Sequence, residues 1–256
     1  MEIIMEENGK LFVVGLGPGE LSHMTFQARD ALERSEVVVG YKTYLDLIES
    51  IIKGKRVISS GMKKEVDRAK QAISEAQKGA VVSLVSSGDP GIYAMAGLVL
   101  EIMSVQEIHL DVEIIPGVAA LNGCAALLGA PLMHDFAAIS LSDLLTPWDV
   151  IENRLRMASE ADFVIGLYNP KSKKRVHHIE KACKVIMEHR SPKTPAGIGT
   201  SIARPNQSVK ITTLDKIPES DIGMQSIVII GNSKTFVWNG YMITPRGYSE
   251  KYALNV

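Results

Sequence analysis

The chain has 256 residues, of which 46% are hydrophobic and 22% charged, and a formal net charge of −1. That length holds one large domain or two small ones, and the composition excludes a disordered or fibrous chain. Near-neutrality excludes a global field that recruits nucleic acid or a membrane surface, so any anionic ligand must meet locally placed cations. No apolar run is long enough to span a bilayer. The first nine residues are acidic and lack a signal-peptide pattern, which predicts a cytoplasmic protein without nucleic-acid or membrane partners. The two cysteines, Cys124 and Cys183, have no paired spacing, which speaks against a disulfide scaffold or a zinc site. Both read as buried core thiols.

The chain opens with a buried strand, Leu11 to Val14, that runs into Gly15-Leu16-Gly17-Pro18-Gly19. A dinucleotide-binding turn needs a third glycine where Glu20 stands. Pro18 removes a backbone donor, and no ribose-binding acid follows about 20 residues on. The turn is therefore built for close backbone approach to a ligand without phosphates. Further strands are predicted at 37–39, 56–59, 81–85, 111–115, 162–168, 196–199, 207–213 and 226–231. Helices are predicted at 25–34, 44–52, 65–78, 95–103, 118–128, 148–160 and 175–190. Alternation of this kind means an α/β fold, with mostly parallel strands in the first half and a mixed sheet in the second. The expected boundary lies near Pro116-Gly117, giving domains 1–116 and 117–256 with a ligand cleft between them.

Three strand ends finish in Gly/Pro turns. Besides Gly15 to Gly19, these are Ser86-Ser87-Gly88-Asp89-Pro90-Gly91 and Ile115-Pro116-Gly117-Val118-Ala119-Ala120. Asp89 and Pro90 read either as an N-cap and first helical residue or as part of a ligand loop. Ala119 and Ala120 either make room for a flat ring or allow close helix packing. Leu167-Tyr168-Asn169-Pro170-Lys171 ends a strand in the second half, followed by Ser172-Lys173-Lys174-Arg175. Cations at a helix N-terminus oppose its dipole, which suggests that some of these face an anionic partner. His177 and His178, adjacent and thus about 100° apart on a helix, make a poor metal pair. Thr146, Pro147 and Asp149 read as a capped helix start, which leaves Ser140, Ser142 and Asp143 unexplained. His134 and Asp135 are neighbours that seldom form a productive acid/base pair.

Together these strings resemble the tetrapyrrole methylase family, which uses S-adenosylmethionine. The family's opening Val-Gly-x-Gly-Pro-Gly matches Val14 to Gly19, its Gly-Asp-Pro loop Gly88 to Pro90, and its Pro-Gly-x-x-Ala segment Pro116 to Ala120. The resemblance runs from about Leu11 to Arg246. Longer strings, among them Gly40 to Tyr44, Ser87 to Tyr93, His134 to Phe136, Ser140 to Trp148 and Leu167 to Ser172, resemble the branch that methylates ring carbon 17 in cobalamin synthesis and contracts the macrocycle. That branch takes precorrin-3B or the cobalt-bearing factor III.

The resemblance implies a two-domain α/β fold, a homodimer, and the donor folded against Pro18, Gly88, Asp89, Ile92, Ala119, Ala120, Tyr168, Asn169 and Gly199. Many siblings have Thr at the place of Ala119 and Met at that of Asn169, so contacts there fall to the backbone. The tetrapyrrole acceptor is fringed with carboxylates, for which Lys42, Lys171, Lys173, Lys174, Arg175 and Arg204 are candidates. For ring contraction the expected catalytic residues are Asp143, Ser140 or Ser142, and Lys42. No protein metal site is expected, and cobalt enters only within the substrate. Competing readings are a sibling methylase of different regiochemistry, a nicotinamide-dependent oxidoreductase, and a non-catalytic binder of tetrapyrrole or adenosylmethionine.

Overall fold

A computed structural model of the chain describes residues 9–253; the acidic opening read above, through residue 8, lies outside them. The chain divides into two compact units, Met1–Ala120 and Leu121–Val256. Among the described residues no helix is long and apolar enough to cross a membrane.

The first unit runs β1 (Lys10–Gly15), α1 (Phe26–Arg34), β2 (Val37–Tyr41), α2 (Lys42–Leu47), α3 (Glu49–Ile52), β3 (Arg56–Ser60), α4 (Glu65–Gln77), β4 (Val81–Ser86), α5 (Met95–Val105) and β5 (Asp111–Ile115). Its five strands are all parallel, in the order β3-β2-β4-β1-β5. A parallel sheet is covered on both faces, so its strands read as continuous apolar runs. Leu11, Val13, Val39 and Leu84 pack under α4 and α5. Phe12, Val14, Val38 and Val85 pack with residues of α1 to α3 on the other face. Thr25 is the N-cap of α1 and accepts from Ala28 N at 3.1 Å. The helix expected over 44–52 is two short helices meeting at Ile48.

The second unit runs from α6 (Ala120–Leu128) through β6 (Gly129–Ala130), β7 (Phe136–Ser140), α7 (Trp148–Glu160), β8 (Val164–Tyr168), α8 (His178–Met187), β9 (Pro195–Thr200), β10 (Ser208–Thr213), β11 (Ser226–Ile230), β12 (Phe236–Trp238) and β13 (Tyr241–Ile243). Its main sheet, β10-β9-β11-β8-β7, is mixed: only β7 and β8 are parallel. A second, three-stranded sheet has the order β12-β13-β6. Ile151 and Leu155 of α7 and Ile179 and Ile186 of α8 pack against Ile165, Leu167, Ile198 and Val228 of the main sheet. Leu121, Cys124 and Leu128 of α6 fill the space that side chains at Gly166, Gly199 and Gly197 would take. Strand β7 escapes sequence reading because Phe136-Ala-Ala-Ile-Ser is short and has one β-branched residue.

The three glycine turns of the first unit interlock through their backbones. Gly17 and Gly88 form a two-way bridge, with N–H to carbonyl distances of 3.1 and 2.7 Å. A Cβ on Gly117 would stand 2.2 Å from the Gly88 carbonyl oxygen and 2.8 Å from Gly15 C. Asp89 ties the group together, its carboxylate accepting from Gly91 N at 2.8 Å and from Gly117 N at 3.1 Å. Its reading as an N-cap is corrected here. Helix α5 starts only at Met95, with Ala94 at the cap, and Pro90 stands outside it. Because the Gly117 contact is with rigid backbone, Gly117→Ala is expected to destabilise the protein by about 1–3 kcal/mol or more. Urea unfolding of the two proteins measures this, and equal midpoints would show that the turns are free to part.

Candidate active site

In the first unit the structure brings Pro18, Gly88, Asp89, Ala119 and Ala120 into one cluster at the carboxyl edge of the sheet. Pro18 follows the Gly17–Gly88 bridge directly and is buried. Gly88 has φ +70°, and the nearest atoms beyond its missing side chain are Ala120 N at 3.7 Å and Ala119 Cα at 3.8 Å. Ile92 is exposed on the same loop. The cluster is made of backbone and methyl groups, with both carboxylate oxygens of Asp89 already engaged by amides. The amides of Gly17, Gly88, Gly91 and Gly117 are all used within the cluster and are not offered to a pyrophosphate. Lys42 stands at the start of α2 with its ammonium exposed and paired to Asp46 at 2.9 and 3.0 Å.

In the second unit Ser140 and Tyr168 end neighbouring parallel strands and pair in register. The Ser140 hydroxyl accepts from Asn169 Nδ2 at 2.9 Å and from Ser142 N at 3.2 Å. With both acceptor positions used, its own proton is left to donate outward. Asn169 has φ 51°, which turns the chain sharply out of β8. Tyr168 Oη accepts from Leu121 N at 3.3 Å and so holds the strand end to the first turn of α6.

Behind this pair is a charged network. Asp143 Oδ2 meets His178 Nε2 at 2.9 Å, and Arg175 Nε approaches Asp143 Oδ1 at 3.9 Å. Arg175 Nη1 also donates to the carbonyls of Leu141 at 3.2 Å and Asn169 at 3.5 Å. Trp148 packs edge-on against His178, centroids 4.9 Å apart. The hydrogen bond from His178 first, then the charges of His178 and Arg175, outweigh desolvation and hold the Asp143 carboxyl below its ordinary range.

Several expectations change. Helix α8 begins at His178, not at residue 175, so Lys171, Lys173, Lys174 and Arg175 precede it, and the dipole argument does not apply to them. Arg175 is half-buried and turned toward carbonyls and Asp143, whereas Lys173 and Lys174 are exposed. Thr146 makes no cap: α7 starts at Trp148 with Pro147 at the cap position and no side-chain bond. Gly199 lies against Cys124 Sγ and Ile202, in a packing position on β9. Arg204 is half-buried in the β9–β10 connection, where its N–H donates to Ser201 O at 3.0 Å. The His134 and Asp135 side chains meet each other at 3.5 Å, Asp135 N donates to His134 Nδ1 at 2.8 Å, and the Asp135 carbonyl accepts from Val164 N at 3.0 Å. Burial pushes both cysteine thiols up to about 12, which removes them as nucleophiles near neutrality. Among the described residues no group of three His, Cys, Asp or Glu side chains gathers to hold a metal. Sequence reading missed His178, because its partner is 35 positions away and no spacing rule links the two.

Comparison with known proteins agrees with this architecture. The chain matches the family Tetrapyrrole (Corrin/Porphyrin) Methylases over residues 10–218. It is 47% identical over 251 residues to a cobalt-factor III methyltransferase of Priestia megaterium, covering 96% of this chain and 46% of that longer protein. The chain thus spans about half the length of that relative. It is 50% identical over 239 residues to a probable cobalt-factor III C(17)-methyltransferase of Salmonella typhimurium, covering 93% of this chain and 99% of the other. Among solved structures, that of the methyltransferase CobJ superposes with a TM-score of 0.87 at 34% identity, covering 93% of this chain and 100% of that one. With a parallel first sheet, a mixed second sheet and the three interlocked glycine turns, the chain belongs to the tetrapyrrole (corrin/porphyrin) methylases.

Proposed function

We propose that this protein transfers a methyl group from S-adenosylmethionine to ring carbon 17 of cobalt-factor III, or of its metal-free counterpart precorrin-3B, in cobalamin biosynthesis, with contraction of the macrocycle. The observation that carries this is the 50% identity to the Salmonella typhimurium relative, sustained over 99% of that protein's length. Cobalt belongs to the substrate in this reading. The homodimer implied by the family resemblance is part of it, and β12, with Phe236, Val237 and Trp238 exposed, offers apolar surface for such contact.

The glycine cluster fits the methyl donor. Gly88, Ala119 and Ala120 set backbone and small side chains beside one another, in keeping with a flat ring, and the site needs no phosphate cradle. We assign donor contacts to Pro18, Gly88, Asp89, Ile92, Ala119, Ala120, Tyr168, Asn169 and Gly199. When bound, the donor's sulfonium supplies an electrophilic methyl group, so the protein's task is alignment rather than nucleophilic attack. That accords with the buried, inert cysteines. Immediately after Asp143, Leu144 and Leu145 are 81% and 93% exposed and present apolar surface suited to the face of a flat macrocycle. Lys42, Lys171, Lys173 and Lys174 are assigned to acceptor carboxylates at the rim. Ring contraction requires protons to move. Asp143 is ionised near neutrality and so accepts a proton at a carboxylate oxygen, with His178 fixing its orientation and Ser140 donating an oriented hydrogen bond.

Anaerobic incubation with S-adenosylmethionine and the trimethylated precursor, with and without cobalt, is expected to add one methyl group and shift the absorbance to that of a contracted ring. A product of unchanged mass would refute the assignment. Asp143→Asn is expected to methylate yet contract at least about 10²-fold more slowly; normal contraction would remove Asp143 from the chemistry.

The same pair bears on stability. A carboxyl whose folded pKa is depressed contributes stability that is full above its unfolded value, about 3.9, and is lost as pH falls through the folded value. The Tm difference between wild type and Asp143→Asn should therefore hold near neutrality and shrink below about pH 4. A difference constant down to pH 2.5 would show that the carboxylate charge plays no part.

A further inference from the structure

The face of the first sheet that packs on α4 and α5 ends, at its carboxyl edge, in a row of polar side chains. Val37 and Val39 of β2, and Val82 and Leu84 of β4, lie in the core under those helices. Strand alternation therefore puts Tyr41 and Ser86, two residues further on, on the same face. Ile58 of β3 packs against that core, which places Ser60 there as well. Register makes them neighbours: Tyr41 pairs with Ser60, and Gly40 with Val85, so Tyr41 stands level with Ser86. Ser86 in turn pairs with Gly15, where the first glycine turn opens.

Arg68 of α4 reaches over this row. It is only 4% exposed. Its Nε donates to Ser60 Oγ at 2.7 Å, its Nη2 to Gly61 O at 2.9 Å, and the guanidinium lies over the Tyr41 ring, 5.9 Å from the centroid. Its Nη1 faces only the Met95 thioether at 3.9 Å, a weak acceptor. No carboxylate among the described residues pairs with it. At the end of the next strand the Ser86 hydroxyl is buried and has no hydrogen-bond partner among the described residues. Arg190, the other buried arginine, shows what full pairing looks like. It donates to the carbonyls of Ser159, Gly231 and Phe163 at 3.1, 3.0 and 2.9 Å and meets Asp162 Oδ1 at 2.9 Å. Buried charges are ordinarily paired, and a buried polar group without a partner is costly. At Arg68 the chain supplies the burial and withholds the counter-charge.

We propose that this row is a receptor for one side-chain carboxylate of the macrocyclic acceptor. Arg68 supplies the charged donor through Nη1, the end of its fork that meets only a thioether. Ser86 supplies a hydroxyl donor. Met95 fills the place of the carboxylate in the free protein, a role suited to a flexible, unbranched side chain that moves aside at low cost. The row lies at the carboxyl edge of the sheet, beside Lys42 and the Gly15 turn, where ligands of open α/β sheets bind. The identity of the carboxylate rests on the function proposed above.

The test compares wild type, Arg68→Met and Met95→Glu, the last placing a carboxylate inside the receptor. Steady-state kinetics give KM and kcat for the acceptor, and titration gives the affinity for adenosylhomocysteine. Acceptor KM is expected to rise roughly tenfold or more in both variants, with a smaller change in kcat and unchanged adenosylhomocysteine affinity. Met95→Glu decides the matter if Arg68→Met fails to fold, because it adds a partner to the buried charge. An unchanged KM in Met95→Glu would overturn the proposal, and so would a loss of adenosylhomocysteine affinity, which would give the row to the donor. If the wild-type protein transfers no methyl group, the functional reading fails separately. The receptor is then read with uroporphyrin III as a polycarboxylate probe: weaker binding by Met95→Glu than by wild type supports it, and equal binding overturns it.

Discussion

The first unit depends on a place where backbone touches backbone. Gly15, Gly88 and Gly117 come from three adjacent strands of a parallel sheet, and the carbonyl of Gly88 occupies the space where any side chain on Gly117 would stand. Such an approach is open only to glycine. It explains why Asp89 is spent on joining loops rather than capping a helix, and why α5 begins well downstream of Pro90. Turns drawn this tightly leave methyl groups and peptide planes around Gly88.

The second unit solves its positioning problem with polar side chains. Ser140, Asn169, Arg175, Asp143 and His178 form a connected set of hydrogen bonds and ion pairs running from two strand ends to the start of α8. Within it Arg175 donates to two carbonyls and approaches a carboxylate, so its charge is partly compensated inside the protein. Arg68 in the first unit is the opposite case, more deeply buried but without a carboxylate. Two cations with such different partners are not interchangeable, because the free energy of a charge withdrawn from water is set by what compensates it.

Much of the fold was legible in the chain. The buried runs Leu11 to Val14 and Val81 to Val85, the amphipathic spacing of α4 and α7, and the glycine turns at three strand ends are local signals. Each reflects burial on a known period or a backbone conformation that few residues adopt. The same signals misled at Pro90, Thr146 and Arg175, where a good capping or helix-start pattern was overridden. Tertiary bonds claimed Asp89 and Arg175, and Thr146, at an otherwise sound start, makes no cap. Strand β7 was missed because its residues are small and its stability comes from pairing with β8.

By itself, then, the amino-acid order determined the α/β class, the parallel first half, the mixed second half and the motifs that mark the family, since all of these are written in short-range periodicity and in glycine and proline placement. Only the tertiary structure decided that His178 belongs with Asp143, that Gly199 lies against Cys124 and Ile202, and that Arg68, Tyr41, Ser60 and Ser86 share one edge. Those partnerships join residues from separate elements, often tens of positions apart, whose proximity follows from strand register and helix packing, and no pattern within a window of sequence carries that information.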